Sequence, residues 1–253
     1  MIRAVIFDLD GTLVQTEKLK AISYARAARE LCPNCATEEA VVEGFREVVG
    51  RSREEVARAL MERFGLEQAS RARMAEFGVS APWQAFVQVR LRIYEEMLAD
   101  AEVLRRNQRP EVVELVHESR RRGYRMTLTS MSDCAALLHV LEAIELADAF
   151  EFIASGDDVE CGKPDPEIYQ VVLRQLGLAP KECLALEDSL TGIQSALAAG
   201  VWCIAATTPF TVAQVREAAR SQAAHRLDER WVVDDRGSLR AVFDQMIAER
   251  ARD

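Results

Sequence analysis

The sequence predicts a doubly wound parallel α/β sheet, interrupted directly after its first strand by an all-helical insert. Three observations carry this. Short runs that are apolar throughout recur along the chain: "AVIF" (4–7), "MTLT" (126–129), "FIAS" (152–155), "CLALED" (183–188), "VWCIAA" (201–206) and "WVVDD" (231–235). Strands buried on both faces of a parallel sheet need apolar residues at successive positions, not only at alternate ones. Helical patterns lie between these runs, and strand–helix alternation marks a doubly wound sheet. The alternation fails over one stretch, from about Val14 to about Asn107, which holds no convincing strand.

Taken in order, the first strand runs into "DLDGT" (8–12), where Gly11 permits a tight turn. In the insert, "EEAVVEGFREVV" places Val41, Val42, Phe45, Val48 and Val49 on one helical face. "SREE" (52–55) reads as a capping box, Ser52 as N-cap and Glu55 reaching back. "PWQAFVQVRLRIYEEML" is a further amphipathic helix. Beyond it come "PEVVELVHESRRRG", "CAALLHVLEAIEL", "PDPEIYQVVLRQLG", "SLTGIQSALAAG" and "TVAQVREAARSQ", several of them stopped by glycine. The expected division is a core of residues 1–14 and 108–253 and a helical cap of residues 15–107. Two short links, Val14 to Lys18 and Asn107 to Pro110, suit hinge closure over a ligand.

Bulk properties narrow the function. Apolar residues make up 49% of the 253 and charged residues 29%, ordinary for a globular protein. A net charge of -9 argues against nucleic acid or an anionic membrane as partner. No stretch approaches the length of a membrane span, and "MIRAVIFDLD" meets charge too early for a signal peptide. The expectation is a cytoplasmic monomer. "CPNC" (32–35) is the sole C-x-x-C; it reads as a helix end with two ordinary thiols, with a redox or metal role as the alternative. Only four of the 32 basic residues are lysines: Lys18, Lys20, Lys163 and Lys181.

The chemistry gathers at strand ends, where open parallel sheets bind ligands. The first end carries Asp8 and Asp10, which begin on the same side of the chain. The second carries Thr129, Ser130 and Ser132, the third leads to Lys163, and the fourth ends at Glu187 and Asp188. Crowded carboxylates repel unless a cation sits among them, and all-oxygen donors suit Mg²⁺. Lys163 is a compact charge for a phosphate and Ser130 can donate to a phosphoryl oxygen. Metal, lysine, hydroxyl and a further carboxylate are the equipment of phosphoryl transfer. Each element alone reads more simply: Asp-x-Asp as a cap or turn, Lys163 as a solvated loop residue, Glu187–Asp188 as a helix cap.

"DLDGT" (8–12), "LTS" (128–130), "GKPDP" (162–166) and "LEDSLTGIQSALAAG" (186–200) resemble the four motifs of the haloacid dehalogenase superfamily. The helical cap between the first two motifs resembles its β-phosphoglucomutase-like, phosphatase-rich branch. The resemblance implies a Rossmann-like core, Asp8 as nucleophile forming an aspartyl-phosphate, and Asp10 as general acid/base. It implies Mg²⁺ held by Asp8, the Asp10 carbonyl and Asp188, with Glu187 beside or in the shell. Ser130, Met131 and Lys163 are implied to bind phosphate. "VGRSREE" (49–55) resembles a cap segment of β-phosphoglucomutases and puts Arg53 on a substrate phosphate; a surface arginine is the alternative.

Departures matter too. Gln15 stands where many relatives are acidic, and Lys20 where many have histidine. Lys20 then contacts substrate beside the Asp10 turn, or pairs with a cap carboxylate. "SMSDCAA" puts Asp133 and Cys134 where mutases carry polar or basic residues, and Asp133 is expected to repel a second phosphate. The expected activity is a Mg²⁺-dependent phosphatase of a small phosphorylated metabolite, a sugar phosphate. A sugar-phosphate mutase is the alternative, ahead of a haloacid dehalogenase or a non-catalytic binding protein.

Overall fold

The computed structural model describes residues 1–221, 227–234 and 237–251. The chain forms two compact units, one of Met1–Gln15 with Leu104–Asp253, the other of Thr16–Val103.

The first unit is built on six parallel strands: β1 (Ala4–Asp8), β2 (Arg125–Thr129), β3 (Phe152–Ala154), β4 (Cys183–Glu187), β5 (Trp202–Ala206) and β6 (Val232–Val233). Their order is β3-β2-β1-β4-β5-β6, so the chain winds outward from β1 in both directions. Each strand lies on one of the apolar runs. Val5, Ile6 and Phe7 are fully buried; burying each contributes roughly 1.5–3 kcal/mol. Alternate residues serve opposite faces. Ala4 and Ile6 join the cluster with Ile168, Tyr169, Ile193 and Val215, whereas the Phe7 ring packs against Phe150.

Helices Glu167–Leu176, Leu190–Ala198 and Val212–Arg220 supply that cluster. Pro110–Arg121 and Leu239–Arg250 pack on each other, and on β2 and β5 respectively. The Leu239–Arg250 helix has no counterpart among the predicted elements. The last predicted strand is shorter than its apolar run, because Trp231 closes a 3₁₀ turn instead. Gln222 and Asp235, at the ends of two predicted elements, lie outside the described residues.

The second unit is helical in its described elements. Ser52 caps Arg53–Phe64 as its sequence demands: the Glu55 amide donates to Ser52 Oγ at 3.3 Å, and the Ser52 amide to Glu55 Oε2 at 2.9 Å. The valine-rich helix is shorter than its apolar pattern, ending at Arg46. Val41, Phe45 and Val48 are buried, Val42 and Val49 half-buried. Cys32 and Cys35 are not ordinary thiols: a disulfide joins them, their Cα atoms 5.4 Å apart. Three residues apart, at the point where the helix Thr16–Leu31 stops, the chain turns back far enough for that pairing. No described helix is long and apolar enough to cross a membrane.

Candidate active site

Asp8 is the last residue of β1, paired in register with Thr129 at the end of β2. Leu9 is buried, and Asp10 follows half-buried. Gly11 then turns the chain at φ +85°. A Cβ here would lie 2.1 Å from Asp188 Oδ2, so close approach as well as backbone conformation demands glycine. The turn is closed by the Gly11 amide donating to the Val14 carbonyl at 2.7 Å. The strand end thus carries two carboxylates on one rim, and the turn presses against a third.

Lys163 holds the cluster together. Its Nζ donates to Asp8 Oδ1 at 2.7 Å and to Glu187 Oε1 at 2.6 Å, with all three side chains nearly inaccessible. The Tyr169 hydroxyl donates to the same Glu187 oxygen at 2.6 Å. Tyr169 drew no attention in the sequence, because a tyrosine on the apolar face of a helix reads as core. Glu187 in turn fixes Gly192, whose absent Cβ would sit 2.0 Å from Glu187 Oε2.

Asp10 lies on the serine side of the site. Ser130 Oγ and Ser132 Oγ donate to its Oδ2 at 2.9 and 3.0 Å, and the Ser132 amide donates to Ser130 Oγ at 3.0 Å. The Met131 side chain between them is exposed, while the close approach of Gly156 to its carbonyl pins the backbone.

Three carboxylates crowd one lysine, and the electrostatics follow. Burial and then Glu187 push the Asp8 carboxyl up to about 8, against the pull of Lys163. Burial would lower the Lys163 ammonium, but Asp8 and Glu187 outweigh it and raise it above its ordinary value. Such a cluster fits a hard cation. Asp8, Glu187 and Asp188, all buried, offer oxygens within 4.8 Å of one another. Asp8 Oδ2 and Glu187 Oε2 are buried without a hydrogen-bond partner, a costly state that a cation would relieve.

The helical unit holds a different cluster. Lys20 pairs with Glu17 at 2.7 Å. Arg53 borders a cavity of about 360 Å³ lined by Trp83, Val87 and Leu91. Arg90, whose place on the amphipathic helix Pro82–Ala99 gives no sign of a special role, is 5% exposed. Its guanidinium stacks on Tyr94 at 4.4 Å and on Tyr24 at 5.1 Å, and its Nε has no hydrogen-bond partner. Burial and the nearby Arg53 lower its pKa, against Tyr24, Tyr94 and Glu17.

Asp133 has a structural task that the sequence reading did not give it. Its carboxylate caps the helix Cys134–Ala143, accepting from the Ala136 amide at 2.8 Å, so its charge serves the first turn.

A parallel sheet with carboxylates, a lysine and hydroxyls at its strand ends defines a doubly wound α/β protein with its polar site where such sheets bind ligands. The family model of the haloacid dehalogenase-like hydrolases matches residues 2–200, and the chain belongs to that family. It is 32% identical over 216 residues to Protein CbbY of Cereibacter sphaeroides, covering 83% of this chain and 86% of that one. It is 30% identical to the Phosphorylated carbohydrates phosphatase of Thermotoga maritima, covering 78% of this chain and 82% of the relative. The fold is shared with the crystal structure of CbbY (mutant D10N) from Rhodobacter sphaeroides in complex with xylulose-(1,5)bisphosphate. The TM-score is 0.56 at 26% identity, over 83% of this chain and 88% of that one.

Proposed function

We propose that the protein is a Mg²⁺-dependent phosphatase of a small phosphorylated sugar, acting through an aspartyl-phosphate on Asp8. The observation that carries this is the buried Asp8–Lys163–Glu187 cluster, with Asp188 alongside and Asp10 one strand step further on. Relatives named as acting on phosphorylated carbohydrates support it.

Asp8 is the nucleophile. One carboxylate oxygen attacks phosphorus, the bond from phosphorus to the sugar oxygen breaks, and its electron pair leaves with that oxygen. Asp10 supplies the proton. A water then attacks the phosphorus of the aspartyl-phosphate while Asp10 takes its proton; the bond from phosphorus to the Asp8 oxygen breaks, its electron pair returns to the Asp8 carboxylate, and orthophosphate leaves. Ser130 and Met131 hold the phosphoryl oxygens from one side, and Lys163 holds them from the other. The cation would be held by Asp8, Asp188 and the Asp10 carbonyl, with Glu187 beside it or among its ligands; it supplies charge neutralisation at the phosphoryl group. On the helical unit, Arg53 and Lys20 are the proposed substrate contacts, with Arg90 close to Arg53 as a further cation for an anionic group. A buried guanidinium with an unpartnered Nε, backed by aromatic rings, is suited to a phosphate or carboxylate.

Hydrolysis of p-nitrophenyl phosphate with and without Mg²⁺, followed by a panel of sugar phosphates, tests this reading against Asp8→Asn as blank. Metal-independent turnover, or none on any ester, overturns it.

The alternative is a sugar-phosphate mutase, which shares the aspartyl-phosphate and returns the phosphoryl group to the sugar instead of water. β-Glucose 1-phosphate with a trace of glucose 1,6-bisphosphate and Mg²⁺ separates the two. Glucose 6-phosphate forming much faster than orthophosphate would make the protein a mutase.

A further inference from the structure

Arg109 is a buried arginine outside every motif. It sits in the segment through which the chain re-enters the sheet unit, and it is 8% exposed. Its backbone amide donates to the Leu13 carbonyl at 2.9 Å. Its Nη1 donates to the Gly11 carbonyl at 3.0 Å and also to the carbonyl of Ala206. Its Nε pairs with Glu111 at 2.8 Å. Gly11 follows Asp10, and Ala206 ends β5. In the sheet β1 and β5 flank β4, the strand that leads into Asp188. One guanidinium therefore clamps the backbone at two strand ends, on either side of the strand that presents the third carboxylate.

A buried guanidinium is costly unless its donors are used. Here Nη1 is spent on two backbone carbonyls, one in the turn after Asp10 and one at the end of β5, while Nε is held by Glu111. Both polar groups of Gly11 are held by the segments through which the chain leaves and re-enters this unit: its amide by the Val14 carbonyl, its own carbonyl by Arg109. The peptide planes following Asp10 cannot tilt while both bonds persist, and their tilt sets where the Asp10 carboxyl points.

We propose that Arg109 is a positioning residue for Asp10. It fixes the turn so that the Asp10 carboxyl meets the leaving oxygen as the bond from that oxygen to phosphorus breaks, the electron pair staying on oxygen and the proton passing from Asp10. This rests on the phosphatase reading. The consequence is selective: loosening the turn harms proton delivery to a leaving group that needs one, and spares ester cleavage that does not.

The test compares kcat/KM, which reports formation of the aspartyl-phosphate, for an alkyl phosphate and for 2,4-dinitrophenyl phosphate, whose phenolate departs unprotonated. In Arg109→Met the ratio of alkyl to dinitrophenyl activity should fall at least about tenfold, within the range of a general-acid contribution. Arg109→Lys, which keeps the charge but not the fork, should fall less. The ratio does not depend on how much protein is folded, so a purely structural role lowers both activities alike. A ratio within twofold of wild type in both variants overturns the proposal. Wild-type protein inactive on both esters overturns the phosphatase reading instead.

Discussion

The two units bury charge in opposite ways. In the sheet unit, one lysine pairs with both Asp8 and Glu187, and Asp188 lies beside them. In the helical unit, Arg90 is buried on two tyrosine rings, with Arg53 near enough to lower its pKa. The first cluster has an excess of negative charge that burial cannot tolerate without a proton or a cation. The second has an excess of positive charge, moderated by Glu17, and suits an anion. A cation answers the first demand and an anion the second.

The largest expected effect tests the negative cluster. Asp8→Asn should lower phosphate release at least about 1000-fold, as removal of a nucleophile does; the asparagine keeps shape but cannot form the acyl phosphate. Turnover within about tenfold of wild type, roughly 1.4 kcal/mol of barrier, would take Asp8 out of that role.

Next comes the pH dependence of cation binding. The metal-free Asp8 carboxyl, raised to about 8, keeps its proton below that pH, and a cation must displace it. Mg²⁺ affinity should therefore rise as pH increases from 6 to 8 and then level off, with about one proton released per ion on the acid side. Calorimetry in buffers of different ionisation enthalpy reads this directly. Affinity unchanged across that range would show that Asp8 is already ionised, and Asp188→Ala should abolish the binding altogether.

Arg90→Gln tests the positive cluster. For a sugar phosphate with a second anionic group, KM should rise about 10- to 100-fold with kcat little changed. That corresponds to about 1.4–2.7 kcal/mol of uniform binding. KM for p-nitrophenyl phosphate should not move. An equal rise for both substrates would break the assignment of Arg90 to a second anionic group.

The smallest effect is structural. Ser52→Ala removes a cap bond and should cost about 1 kcal/mol, read as a drop of a few degrees in Tm. A drop in Tm beyond about 10 °C would mean that this helix start supports more of the helical unit than its cap.

The sequence by itself determined the strands β1 to β5, because a parallel sheet buried on both faces needs runs of apolar residues that few other elements use. It also brought Asp8, Asp10, Ser130, Lys163, Glu187 and Asp188 to one rim, because strand ends and local turns are short-range features. Ser52 and Glu55 were legible for the same reason, three residues apart. What lies further off was not legible. Tyr169 and Arg90 have the pattern of a helix face, and only the packing of distant segments decides that one holds Glu187 and the other lies buried on tyrosine rings. Asp133 was read for its charge alone, while the helix Cys134–Ala143 that begins directly after it also uses its carboxylate as a cap. Arg109 and Gly11 lie 98 positions apart, and their hydrogen bond exists because the chain leaves and re-enters the sheet at the same strand end. Periodicity reports what an element does along itself; which buried charge meets which partner is set by long-range packing, and only the tertiary structure decided it.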